Sequence, residues 1–297
     1  MAELLPLDIE LLSQDLPRLS EVAVEAPIYA DRQGLIEYRC TGDRGKPAML
    51  LLHGLGSSSA GYRAQLAGLS QDFHVVAWNA PGFGNSSQIG MPEVNIDHYA
   101  DALDAFRRAL RLERIAVLVG SSWGSLIALA FTRRYPQHVG GLVLSAPNVA
   151  KGDLAGEARD AELDAWLRTA DINIPVSRAT IADRLLTPKT PALVRQHVER
   201  LRDAMTTAGW RHAIRSLFTI YTPDVIPAVK RPVAVLFGAL DQVAPYADHA
   251  GRLLAAAPWV KSHIFEDCGH MLKLEAPVTF NSVVRQFAAE GDVSEAE

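Results

Sequence analysis

Short runs of β-branched and leucine-rich residues alternate along the chain with longer stretches whose apolar positions recur every three or four residues. The runs Pro47–Leu52, Phe73–Trp78, Ile115–Val119, Val139–Leu144, Pro232–Phe237 and Val260–Phe265 have strand length and are apolar enough to be covered on both faces. Between the second and third, Ile96, Tyr99, Leu103, Phe106 and Leu110 fall on one face of a helix over Asn95–Leu112. Phe280, Val283, Val284 and Phe287 repeat that spacing after Pro277, a residue suited to a helix start. Strands alternating with helices predict an α/β architecture, a mostly parallel sheet with helices packed on it. The leading segment Val22–Cys40, turning around Asp31–Gly34, predicts an antiparallel hairpin at the sheet edge.

From Asn148 to Arg231 the alternation stops, and 84 residues pass without a convincing strand. That is too long for a structureless loop in a compact domain. Val194, Val198, Leu201 and Met205 share one helical face, and further helices are expected over Glu157–Arg168 and Trp210–Ile220. The segment reads as a helical cap over one edge of the sheet, with residues 1–147 and 232–297 as the core and 148–231 as the cap.

Composition narrows the function classes. With 48% apolar and 21% charged residues among 297, the chain can bury a substantial core and is not disordered. A net charge of −5 without any basic run excludes nucleic acid as an expected partner. Ile115–Thr132 spans 18 uncharged residues, close to a membrane span, but its centre reads as a strand turning into a helix, so no membrane association is expected. Cys40 and Cys268 stand far apart with no partner at metal-ligand spacing, and the acidic start has no signal-peptide pattern, so the cytoplasm is expected. No metal motif is present. Gly54-Leu55-Gly56 and Gly82-Phe83-Gly84 stop short of a dinucleotide fingerprint, and Tyr62 stands where a phosphate loop requires lysine.

The candidate chemistry centres on Gly120-Ser121-Ser122-Trp123-Gly124, a Gly-x-Ser-x-Gly between a buried strand and an apolar helix. This spacing puts Ser122 on a sharp turn where side chains on either glycine would collide with strand and helix. A serine hydroxyl needs a base, and the base an acid that fixes its tautomer. His270 follows the last strand and Asp241 follows the strand Pro232–Phe237, both at carboxyl ends of strands, where ligands of such sheets collect. Asp267 is the rival acid, though it lies only three residues before His270. Backbone N–H groups of Leu55 and Trp123 are candidates for an oxyanion hole. Trp166, Trp210, Phe218 and Tyr221 are candidates for an apolar acyl pocket, and His53 reads as a structural hydrogen-bonding residue.

Together, His53-Gly54-Leu55-Gly56, the Ser122 turn, Asp241 in Gly-x-x-Asp-x-x-x-Pro and Gly269-His270 resemble the α/β-hydrolase fold family over about Val22–Phe287. The resemblance implies an eight-stranded sheet with a cap inserted after the sixth strand, no cofactor, Ser122 as nucleophile, His270 as base and Asp241 as its orienting acid. Asn79-Ala80-Pro81-Gly82-Phe83-Gly84 resembles the family's loop after its fourth strand, with Asn79 in place of the usual aspartate. A serine nucleophile argues against the dehalogenase and epoxide-hydrolase branches, which place aspartate there. His53-Gly54-Leu55-Gly56 departs from the first loop of the proline iminopeptidases. The expected activity is cleavage of a carboxylic ester or lactone in a small acyl substrate. Hydrolysis of a carbon–carbon bond beside a ketone is the enzymatic alternative, and a small-molecule sensor on the same fold the non-enzymatic one.

Overall fold

The computed structural model describes residues 4–169 and 174–293. Its strands are β1 (Ser20–Glu25), β2 (Gln33–Thr41), β3 (Ala48–Leu52), β4 (His74–Trp78), β5 (Ile115–Ser121), β6 (Val139–Ser145), β7 (Val233–Gly238) and β8 (Lys261–Phe265). They form one eight-stranded sheet in the order β1-β2-β4-β3-β5-β6-β7-β8. β2 pairs antiparallel with β1 and β4, and the remaining pairs are parallel. The helices are α1 (Pro6–Ser13), α2 (Arg63–Gly68), α3 (Ile96–Ala109), α4 (Trp123–Arg134), α5 (Gly156–Arg168), α6 (Ile174–Leu185), α7 (Ala192–Arg200), α8 (Thr207–Leu217), α9 (Thr222–Val225), α10 (Ala250–Ala256), α11 (Leu272–Glu275) and α12 (Pro277–Val293).

The parallel strands expected from the sequence are β3 to β8, with ends moved by at most two residues. Continuous apolar runs arise because both sheet faces are covered. In β3, Leu50 and Leu52 pack on the side of α3 and α4, while Met49 and Leu51 pack on the side of α2 and α12. The edge strand β8 lacks cover on one side, and its residues from Lys261 to Ile264 are exposed. The 18-residue uncharged stretch is β5 followed by α4, and among the described residues no helix is long and apolar enough to cross a membrane.

The hairpin forms, but its reversal ends at Arg32, short of Gly34. Asp31 and Arg32 take the left-handed φ values, 51° and 59°, and Gly34 already pairs with Val24 inside the ladder. α3 starts where expected because the Asn95 side chain accepts the His98 N–H at 3.0 Å, and it stops before Leu112 because Arg111 turns to φ 58°. α1 has no counterpart in the sequence reading. Its Leu12 is fully buried, and the Asp8 carboxylate accepts the N–H of Val278, at the start of α12, at 2.8 Å.

Between β6 and β7 the described chain is helical, from α5 to α9. The face shared by Val194, Val198, Leu201 and Met205 is real, but no single helix carries it. α7 ends at Arg200, Leu201–Ala204 is a 3-10 turn, and Met205 is extended, bridging to Phe83 in the loop after β4. A small apolar cluster of Ile181, Leu186, Val194, Val198 and Leu201 packs this segment on Ala64, Met271 and Leu274 of the core.

Candidate active site

Ser122 occupies the single residue between β5 and α4, with φ 52° and ψ −119°. Positive φ is costly for a residue with a side chain and persists only where the surroundings enforce it. Here they do. A Cβ on Gly120 would strike the Gly124 carbonyl and come within 2.7 Å of Ser125 Cα. A Cβ on Gly124 would strike the Leu52 carbonyl and come within 2.8 Å of that of His53. The chain before and after the serine is therefore pressed against itself and against the end of β3. The Ser122 N–H donates to Ser145 O and the Ser125 N–H to Ser122 O, each at 2.9 Å. A Cβ on Gly54 would lie 3.1 Å from Ser122 Cβ, so the loop after β3 passes directly over the serine.

Trp123 is fixed beside it. Its indole N–H donates to Ser216 Oγ in α8 at 2.9 Å, and its ring meets Tyr99 edge-on at 4.8 Å between centroids. As the first residue of α4, it has a backbone N–H with no carbonyl a turn back to accept it.

His270 and Asp241 come from the loops after β8 and β7. The imidazole Nδ1 lies 2.7 Å from Asp241 Oδ2, and both side chains are buried. Asp241 Oδ1 accepts the N–H groups of Val243 at 2.8 Å and Ala244 at 2.9 Å. Burial alone would raise the Asp241 pKa, but the imidazole and the two amides hold it below the usual carboxylate value. Asp267, the rival acid, is exposed. The His270 N–H donates to Leu185 O at the end of α6 at 2.8 Å.

Ser122 and His270 line one cavity of about 680 Å³ between the sheet and the helical segment, together with Leu55, Trp123, Trp166 and Trp210. Phe218 and Tyr221, expected in the pocket, are elsewhere. α8 directs Trp210 and, seven residues on, Leu217 to the cavity, so Phe218 at its C-cap points into the core. Tyr221 packs against the same core at the start of α9. His53 is fully buried. Its Nε2 accepts the Ala80 N–H at 3.0 Å, and burial pushes its pKa down to about 4, so it stays neutral. Asn79, in place of aspartate, donates to the buried Glu37 carboxylate, and its Oδ1 accepts the Ser59 N–H at 2.7 Å.

Three charged groups at or beside this site have no role assigned from the sequence. Lys273 in α11 lines the cavity and is 1% exposed; its Nζ donates to Ser121 Oγ at 2.9 Å and lies 5.1 Å from the Tyr62 ring centroid. Burial pushes its pKa down to about 7, against the pull of the Glu275 charge. Glu275 accepts the Gly269 and Met271 N–H groups on Oε2 at 3.0 and 3.2 Å. Its Oε1 accepts the Thr187 N–H at 3.2 Å and the Thr190 hydroxyl at 2.8 Å. Burial still leaves its pKa raised. Arg202, in the 3-10 turn after α7, also lines the cavity. Among the described residues no three His, Cys, Asp or Glu side chains are grouped to hold a metal.

A family model described as the alpha/beta hydrolase fold matches residues 47–277. The chain belongs to the alpha/beta hydrolase fold family. This hydrolase is 28% identical over 273 residues to the 2-hydroxy-6-oxononadienedioate/2-hydroxy-6-oxononatrienedioate hydrolase of Paraburkholderia phymatum, covering 86% of this chain and 91% of that protein. Among solved structures it superposes on a thermophilic esterase from Thermogutta terrifontis with a TM-score of 0.79 at 22% identity, covering 92% of this chain and 99% of that one. It superposes on the enol-lactonase from Burkholderia xenovorans with a TM-score of 0.75 at 18% identity, covering 86% and 97%. At those identities the two structures share the fold of this hydrolase.

Proposed function

We propose that this hydrolase works through Ser122 as nucleophile on a small acyl substrate, with His270 as base and Asp241 as the acid that orients it. The observation that carries the reading is the imidazole held by Asp241 at the wall of the cavity that also exposes the strained Ser122. With Nδ1 protonated toward Asp241, Nε2 is free to take the hydroxyl proton as Oγ attacks the carbonyl carbon. The backbone N–H groups of Leu55 and Trp123 then hold the oxyanion. The leaving group departs with the proton from the imidazolium, and water hydrolyses the acyl-enzyme by the reverse transfers. Residues 148–231 act as the cap that closes the acyl pocket, with Trp166 and Trp210 on its wall.

The bond is a carboxylic ester or lactone in the first reading. The name of the Paraburkholderia relative favours a second, hydrolysis of a carbon–carbon bond beside a ketone, in which an enolate leaves in place of an alkoxide. Replacing Ser122 by alanine should lower kcat by about 10⁴ or more while the unfolding midpoint holds. A fluorophosphonate should add once to the wild type, at Ser122, and not to the variant. A Ser122→Ala protein that keeps most of its activity would sink the proposal. Assaying nitrophenyl esters, lactones and vinylogous diketones side by side separates the two bond types.

A further inference from the structure

Arg202 is 6% exposed and lines the cavity, yet among the described residues no carboxylate pairs with it. Its Nε is buried without a hydrogen-bond partner, and Nη1 reaches only the Met205 sulfur at 3.5 Å. The guanidinium carbon lies 5.2 Å from the Trp210 ring centroid, which holds its plane against the wall. Among the described residues the charge that bears on it is that of another cation, Arg184, which lines the same cavity. Lys273 adds a third basic group to the lining, and among the described residues the one carboxylate there, Glu162, is already paired with Lys151 at 2.7 Å. A chain with a net charge of −5 thus keeps a cavity whose charged walls are mostly basic.

A buried guanidinium without an anion is unfavourable, because desolvation is not offset by pairing. Arginine is also the side chain whose planar fork matches a carboxylate through two parallel hydrogen bonds. We propose that Arg202, backed by Arg184, is an anion subsite for a carboxylate on the substrate, so that the substrate class is an acyl compound bearing a free acid. Half-esters of dicarboxylic acids, lactone acids and oxo-acids all fit. This rests on the same cavity being the hydrolytic site. The sequence reading, which placed only aromatic side chains in the pocket, had no anion site in it.

The test compares nitrophenyl half-esters of succinic, glutaric and adipic acids with the nitrophenyl butanoate, pentanoate and hexanoate of matching length. Wild type should favour the best acid over its neutral match by about tenfold or more in kcat/KM, and Arg202→Gln should erase that preference, chiefly through KM. Arg202→Lys should restore part of it, and Arg184→Gln should lower it less. Equal kcat/KM for acid and neutral esters in the wild type, or a parallel loss on both in Arg202→Gln, would overturn the subsite. Calorimetry of glutarate binding to Ser122→Ala, with and without Arg202→Gln, reads the subsite without turnover. Glutarate bound through Arg202 in a protein whose esterase activity does not need Ser122 would retain the subsite and remove the mechanism. Ser122-dependent turnover with no glutarate binding and no acid preference would do the reverse.

Discussion

The two walls of the cavity are built by different means. On the sheet side, Ser122 is placed by main chain pressed on main chain: Gly120 against Gly124, Gly124 against Leu52, and Gly54 across the serine. On the helical side, Arg202, Met205 and Trp210 stand on or beside irregular backbone held by distant loops. Gly84 N–H donates to Ala204 O at 2.6 Å, and the Thr206 hydroxyl donates to Gly82 O at 2.8 Å. Reactive geometry therefore depends on contacts that tolerate almost no substitution, and pocket character on side chains that can be exchanged while the serine stays in place.

That contrast can be broken or sharpened by substitution. The largest effect should come from Asp241→Asn, which keeps the shape but no longer fixes the imidazole tautomer; kcat should fall about 10⁴-fold in steady-state assays with little change in the urea midpoint. Gly124→Ala should cost about 3 kcal/mol in urea unfolding, because the methyl group meets carbonyls of β3 that cannot give way. A loss under about 1 kcal/mol would mean that the sheet wall yields more than its contacts imply. Glu275→Gln should cost about 2 kcal/mol, since an amide NH₂ must face donors that now meet a carboxylate oxygen.

The smallest effect, taken per pH unit, concerns Lys273. Its pKa in the folded state, about 7, is below the unfolded value of 10.5, so the unfolded chain binds the extra proton between those limits. The stability contribution of Lys273 should therefore rise with pH across that window, by at most about 1.4 kcal/mol per pH unit, and be least favourable below pH 7. Lys273→Met should gain most over wild type at pH 6.5 and progressively less at pH 8 and 9 in urea unfolding. A pH-independent difference would show that the lysine titrates as an exposed one.

The sheet wall was legible because its physics is local. Gly-x-Ser-x-Gly writes a steric requirement into five consecutive residues, and strand ends place Asp241 and His270 without any knowledge of side-chain packing. The buried charges and the pocket aromatics were not. In Met271-Leu272-Lys273-Leu274-Glu275 the lysine and glutamate have the spacing of an ordinary amphipathic surface turn, and only Ser121, 152 residues away, and Tyr62 reveal that Lys273 is inside. Arg202 precedes Asp203 in what reads as a solvated pair, yet burial separates them: Arg202 faces the cavity and Asp203 is exposed. Phe218 was misplaced by a single residue of helix phase, which decides between cavity and core. In the hairpin the left-handed positions are Asp31 and Arg32 rather than Gly34, and no glycine announces them.

The Glu275 carboxylate ties Thr187 and Thr190 of the helical segment to the amides on either side of the His270 ring. A swing of that end of the segment away from the sheet would tear the two bonds from Thr187 and Thr190 and the one from the His270 N–H to Leu185 O, leaving Glu275 with Gly269 and Met271 alone. Movement of that corner and the seating of the His270 backbone are thus mechanically linked.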